Sequence, residues 1–465
     1  NYQAYNILRM EFPELAKATL SVIPGEADFS FGQPMSSSSY IFTQIYTLPE
    51  KEVEKNYLKN FTSLEDIVDV TYSTKEIGGK GNISITENRG FKFLNYSIMP
   101  NVIHTIKAAG NLNTAKISIN LRIEDSEAKI VYQQERKIDL KIDNAKKKEF
   151  EKRKLVFRYF VPIVEGEFNV SIIFSNKTTE EFFIYREKIN ITDETVPVLV
   201  GFKVGKINSD TFIPFSTENY KILSDPRSIF NKDDSLEGII LTSKKPEILI
   251  TGIEEENNPI EIKNILRQGN IFLFRQSLND IKTGNYYLTV KSENVEIYHK
   301  IISIMPFYVK KPIYFERTEQ ASSKFNFLFV MAQESLNKGD VDKALEYFGK
   351  LPEDLWNSTT IPFIAKSYFI KKNYEKVVEL LEKENVEKNY SVLLLLGNSS
   401  MELKKLQKAA KYFEMVRQYG DTVKINRTLG VVYYSLGERK KAEVYWKRAM
   451  DLEKNKKNNL TKIKK

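Results

Sequence analysis

The chain has 465 residues, 42% of them hydrophobic, which suffices for packed cores in two to four domains. It holds no cysteine, which excludes disulfides, thiol catalysis and Cys-ligated metals. No run approaches the roughly eighteen apolar residues of a membrane span, so a membrane-spanning class is not expected.

The net charge of +9 is uneven: from Ser323 onward 28 Lys/Arg face 18 Asp/Glu, and the remainder is nearly balanced. The chain opens at Asn1 rather than Met. The expectation is an exported protein, periplasmic or extracellular, with a leader removed, or a trimmed piece. Residues 1–90 read as a β-rich region, with short strands over 18–23, 40–48, 67–73 and 82–86. They form either a partial sandwich of their own or strands added to the next domain. Gly78-Gly79-Lys80-Gly81 reads as a hairpin turn.

Residues 91–192 alternate more clearly. Ile117, Ile119, Leu121 and Ile123 fall on one face of a strand; Ser118, Asn120 and Arg122 fall on the other. Further strands are expected over 129–132, 136–142, 155–161, 167–174 and 181–191, so this stretch reads as an antiparallel β-sandwich. Residues 193–317 repeat the plan. Gly284-Asn285-Tyr286-Tyr287-Leu288 parallels Gly166-Glu167-Phe168-Asn169-Val170: in both, Gly precedes a strand, a polar turn follows, and a last strand ends the domain. Residues 215–229 enter the second sandwich through Asp225-Pro226-Arg227. This layout resembles the immunoglobulin-like or fibronectin-like β-domains of exported bacterial proteins of the GWxTD-domain family, although the naming motif is absent. Residues 305–318, with Pro306 and Pro312, read as an extended connector.

The last third, 323–450, contains a repeat. Small residues recur at Ala332, Ala365, Gly397 and Gly430, spaced 33, 32 and 33. Twelve residues after each stands Ala344, Val377, Ala409 or Ala442, and four further on Phe348, Leu381, Phe413 or Trp446. Two antiparallel helices approach closely only where both carry small side chains, and the bulky residue one turn later shares that face. Gly339 and Gly437 suit left-handed helix ends; Asn373 is read in that role in the second unit, and Leu403-Lys404-Lys405 has no Gly. This pattern resembles the tetratricopeptide repeat, so the fold class is multidomain all-β plus all-α: tandem antiparallel β-sandwiches followed by an α-solenoid of four helix pairs. The tail 451–465 reads as a basic, solvated, frayed end.

No catalytic set is apparent. His104 and His299 lie far apart in β-rich contexts and read as structural residues. No phosphate-binding Gly loop and no Ca-loop spacing occur, so no cofactor, metal or catalytic residue is assigned. The resemblance to stacked repeats implies a concave groove lined by the first helix of each pair. Asn326, Gln333, Lys366, Phe369, Asn398, Met401, Lys424, Arg427 and Tyr434 are the groove residues. Amides, cations and apolar anchors together suit an extended peptide with an acidic or carboxylate group. A second surface is expected at the array's end, on Tyr445, Trp446 and Ala449. The functional expectation is a non-enzymatic exported scaffold or adaptor that binds a protein, or a copy of itself as a homo-oligomer, with the sandwiches as spacers. Nucleic acid is not expected as a partner. The alternative is a glycan-binding cell-surface protein with lectin-like sandwiches, for which Tyr286, Tyr287 and Tyr298 are the candidate aromatics.

Overall fold

The computed structural model describes residues 75–463, apart from 109–110, 146, 148–152, 208–210, 254–258, 317, 321–323 and 384–387; for 320 and 455–463 it describes the backbone alone. The strands expected before residue 74 lie outside the described residues. Two compact units divide the chain. One is Thr71–Asp340, and the described part of the other begins at Val341.

The β-rich unit contains two pairs of facing sheets. In the first, β1 (Gly79–Asn88), β2 (Phe91–Pro100) and β5 (Leu155–Pro162) form an antiparallel sheet. The opposing sheet orders β7 (Glu181–Ile191), β6 (Gly166–Asn176) and β3 (Leu112–Glu124), and β3 also pairs with β4 (Ile130–Asp143). Ile117, Ile119, Leu121 and Ile123 of β3 are all buried, as their alternation requires. The two strands expected over 129–142 are one continuous strand, β4.

Gly79 and Gly81 are not in a hairpin turn. They begin β1, opposite Pro100 and Ile98. A Cβ on Gly79 would stand 2.6 Å from the Phe183 ring, and one on Gly81 2.3 Å from the Tyr185 ring. Both aromatics belong to β7 in the facing sheet. Glycine is required here because two sheets close on each other, not because the chain turns.

The second pair of sheets repeats the arrangement. One sheet orders β8 (Val198–Gly201), β9 (Ser235–Leu241), β12 (Ile271–Ser277) and β11 (Ile265–Gln268). The other contains β14 (Val295–Ile304), β13 (Gly284–Ser292) and β10 (Glu247–Gly252). Leu236, Ile240, Phe272 and Phe274 from the first meet Ile248, Leu288, Val290 and Ile302 from the second in one apolar core. The parallel between Gly166 and Gly284 extends to the backbone: φ is +147° at one and +149° at the other. Each glycine starts the penultimate strand of its sandwich in a conformation that side chains resist.

The stretch 305–318 is more than a connector. It contains β15 (Ile313–Glu316), which adds in parallel to the edge of β5, so the chain returns from the second sandwich to the first. Helix α1 (Lys324–Lys338) then docks on that same unit. Phe327 sits in a nest of edge-on rings, 5.1 Å from Phe93 and 4.9 Å from Phe212. The Val164 amide donates to Glu334 at 2.9 Å, and the Asn337 amide donates to the Val131 carbonyl at 3.0 Å. Lys338 donates to the Glu165 carbonyl. These ties explain why the first helix of the expected array groups with the sheets. Burying Phe327 alone is worth about 2–3 kcal/mol.

The other unit is helical: α2 (Val341–Gly349), α3 (Ile361–Ile370), α4 (Tyr374–Leu381), α5 (Tyr390–Glu402), α6 (Leu406–Tyr419), α7 (Val423–Ser435) and α8 (Arg439–Ile463). Consecutive helices pack on one another, and α3 also packs on α5. This is the tetratricopeptide-like order, in which one pair leans on the next. The expected small residues are at the close contacts. A Cβ on Gly397 would stand 2.7 Å from the Phe413 ring, and one on Gly430 2.2 Å from Trp446. Ala365, Val377, Ala409 and Ala442 are fully buried.

The turns between paired helices differ in which residue takes the left-handed conformation. Gly339 and Gly437 have φ of +91° and +82°. In the second unit Lys372, not Asn373, takes the left-handed conformation, with φ of +60°. Asn373 instead caps α4 by accepting from the Lys376 amide. In the third unit Lys404 has φ of +57°. A β-carbon in that conformation costs about 1 kcal/mol, partly offset by glycine's greater freedom in the unfolded chain. Lys404→Gly is therefore expected to stabilise the helical unit by about 0.5 kcal/mol, read as a rise in its thermal midpoint. The tail also differs from expectation: α8 continues to Ile463. Its Lys-, Asn- and Leu-rich run carries no Gly or Pro to stop a helix.

Candidate protein-binding surface

The surface builds up from α7. Thr422 starts the helix by accepting from the Ile425 amide, and Gly437 ends the turn after it. Between them Ile425, Leu429 and Val432 are buried against α5 and α6. The opposite ridge carries Lys424, Arg427, Val431 and Tyr434, all exposed. The spacing of three to four residues aligns them in one row.

Helix α8 supplies the matching row. Trp446 is half-buried over Gly430, and its ring lies 5.7 Å from that of Tyr434. One turn on is Met450, and Glu453 beyond it pairs with Arg427 at 2.8 Å. The antiparallel pair thus opposes Tyr434 to Trp446 at one end and Arg427 to Glu453 at the other. Val431 and Met450 fall between. Val431, Tyr434 and Met450 are 52%, 54% and 54% exposed, three open apolar side chains on one helix pair.

The other expected groove residues are distributed as follows. Asn326 is exposed and Gln333 half-buried, and both lie on α1 in the β-rich unit. Lys366 and Phe369 are half-buried on α3, and Phe369 packs edge-on against Tyr374 of α4 at 5.5 Å. Asn398 and Met401 are half-buried on α5, and Met401 packs against the core shared by α5, α6 and α7. Lys424, Arg427 and Tyr434 are the three brought together in the open.

The expected end face is narrower than the sequence suggested. Ala449 is buried. Tyr445 turns back toward α6: its hydroxyl donates to Glu414, and its ring stacks on Tyr433 at 5.4 Å. Burial and the Glu414 carboxylate together push the Tyr445 pKa up. Trp446 is the member with an open edge. Met450 was missed, although it stands one helical turn after Trp446 and so shares its face.

Both histidines of the β-rich unit have partners. His104 pairs with the buried Glu181, and His299 lies 3.1 Å from the Thr289 hydroxyl and stacks on Tyr287. Among the described residues no group of three or more His, Asp or Glu side chains converges on a common point. Of the candidate sugar-facing aromatics, Tyr287 carries His299 on its face, Tyr286 donates to the Lys282 carbonyl and Tyr298 packs against the core of its sandwich. Among the described residues no helix is long and apolar enough to cross a membrane.

No family model and no curated protein matches this chain. Part of it is similar to solved structures of MamA. MamA MSR-1 C2 is 20% identical over 28% of this chain and 78% of its own, with a TM-score of 0.27. A further crystal structure of MamA is 16% identical over 30% of this chain and 82% of its own, with a TM-score of 0.28. MamA 41-end from Desulfovibrio magneticus RS-1 is 20% identical over 28% of this chain and 76% of its own, with a TM-score of 0.26.

Proposed function

We propose that this chain is a non-enzymatic, exported scaffold or adaptor that binds a protein through its helical unit, with the sandwiches as a spacer. The observation that carries the reading is the row Lys424, Arg427, Val431 and Tyr434, exposed along one ridge of a tetratricopeptide-like helix pair. Lys424 beside Val431 and Tyr434, with Arg427 held by Glu453, suits a protein segment that is acidic and partly apolar. Such a surface suits binding and positioning.

The test is retention of cellular proteins on the tethered full chain, compared with a Lys424→Glu/Tyr434→Glu variant and with Lys107→Glu on the sandwiches as control. A protein retained by the parent and control but lost from the α7 variant supports the reading. Equal retention by all three counts against it. The export part rests on the plan of the sandwiches and is checked by fractionating the producing cell. Recovery from the cytosol alone would remove it.

A further inference from the structure

We infer that the seam between α7 and α8 is an acceptor for one further amphipathic helix, supplied by a partner protein, with acidic flanks. This deepens the reading of the helical unit as a protein-binding surface and rests on it.

Successive repeats differ at this seam. Leu381, Phe413 and Trp446 hold the same place in successive repeats. Leu381 and Phe413 are 0% and 1% exposed, whereas Trp446 is only half-buried. One position back across the seam, Phe369 and Met401 are half-buried, but Tyr434 is 54% exposed. The difference lies in what comes next. The α5–α6 seam is closed by α7, whose Ile425, Leu429 and Val432 join Phe413 and Val416 in one core. Those three residues stand at i, i+4 and i+7, a single stripe on one helix. Among the described residues no helix closes the α7–α8 seam in this way, and α8 runs on to Ile463 without a turn, so it does not fold back over the seam itself.

The occupant is therefore described by what α7 already does for its neighbour. It presents an apolar stripe at i, i+4 and i+7, to lie over Tyr434, Trp446, Val431 and Met450. Its flanks follow from charge. Arg427, Lys441 and Arg448 are paired with Glu453, Glu438 and Asp421, and beyond those pairs α7 carries Lys424 and α8 as far as Lys454 carries Arg439, Lys440, Lys447 and Lys454 against Glu443 and Asp451. A basic rim around an apolar seam steers and holds an acidic amphipathic helix. Another basic helix, such as α8 of a second copy, is repelled.

The probe is a labelled peptide with the sequence of residues 423–438, carrying Lys424→Glu and Arg427→Glu, titrated into the full chain and followed by fluorescence anisotropy. Saturable binding is expected. Met450→Glu should weaken it at least about tenfold, the effect of 1.4 kcal/mol. Met450→Ala should weaken it less, and Val444→Glu, exposed on another face of α8, should leave it unchanged. Raising salt should weaken binding, and the unsubstituted peptide should bind less tightly than the acidic one. Circular dichroism establishes that each variant is folded. Absence of saturable binding would overturn the inference, as would equal binding by the Met450 and Val444 variants. So would a full-chain dimer that Met450→Glu splits into monomers, because the seam would then belong to a second copy. If the peptide fails while the α7 variant still loses a retained protein, the seam is not a helix acceptor and the broader reading stands.

Discussion

Arg158→Met is expected to destabilise the β-rich unit by about 3–5 kcal/mol, the cost of removing one partner of a buried ion pair. The Arg158 side chain is 1% exposed on β5. Its Nη1 lies 2.8 Å from the Glu316 carboxylate on β15, and its Nη2 donates to the Ile222 carbonyl at 2.7 Å. The guanidinium lies over Phe215 at 4.5 Å and Tyr314 at 5.1 Å. One side chain thus ties a strand of the first sandwich to the returning strand and to the segment that leads into the second. Methionine fills the volume but leaves the Glu316 carboxylate without its ion-pair partner and the Ile222 carbonyl without its donor. Burying unpaired polar groups is the larger part of the cost. Adding Glu316→Gln to Arg158→Met should recover about 1–2 kcal/mol by removing the orphaned charge. Hydrogen exchange of the β5 amides against urea measures both variants. A loss under about 1 kcal/mol for the single variant would mean that the pair is not a structural tie.

A second large effect is expected from pH. Glu334 is fully buried on α1, and burial raises its carboxyl well above the ordinary carboxylate range. The Val164 amide and Lys338 act in the opposite direction and do not reverse it. Tyr132, across the interface on β4, is itself pushed up by burial and then by Glu334; Tyr96 on β2 rises to about 12, with Arg136 opposing. The folded carboxyl therefore binds its proton more tightly than the unfolded one. Its contribution is complete below the unfolded value of about 4.5 and is lost as pH rises through the raised folded value. Between those limits stability should fall by up to about 1.4 kcal/mol per pH unit, the slope for one proton, and then level off. Glu334→Gln keeps an oxygen for the Val164 amide and removes the titration, so its stability should be flatter over the same range. Exchange protection of the α1 amides, followed with pH in both proteins, distinguishes them. Identical profiles would show that Glu334 is not the group responsible.

Much of the helical unit was legible because its constraint is local and periodic. Gly397 and Gly430 are small for a reason visible in sequence: each stands sixteen residues before the ring that closes on it. The strands were legible where one face is buried, as in β3. What escaped the sequence depends on partners remote along the chain. Gly81 reads as a turn because nothing nearby in sequence announces the Tyr185 ring. The segment 313–316 reads as linker because its partner, β5, precedes it by more than 150 residues. Helix α1 carries the repeat pattern in Ala332, yet Phe327 and Glu334 commit it to the sheets, and no periodicity separates those two roles. On the candidate surface, Tyr434 and Arg427 followed from their place in the repeat. The narrowing of the end face did not, because Tyr445 is turned inward by Glu414, a residue of another helix.

We propose that the molecule acts through the open ridge of its last helix pair. Photo-crosslinking in the producing cell tests it most directly, with a photoreactive phenylalanine analogue placed in turn at Tyr434, at Met450 and at Val295, which is 63% exposed on β14. A discrete crosslinked protein is expected from Tyr434 and Met450 and none from Val295. Crosslinks from Val295 alone, or none from the two helical positions, would contradict it.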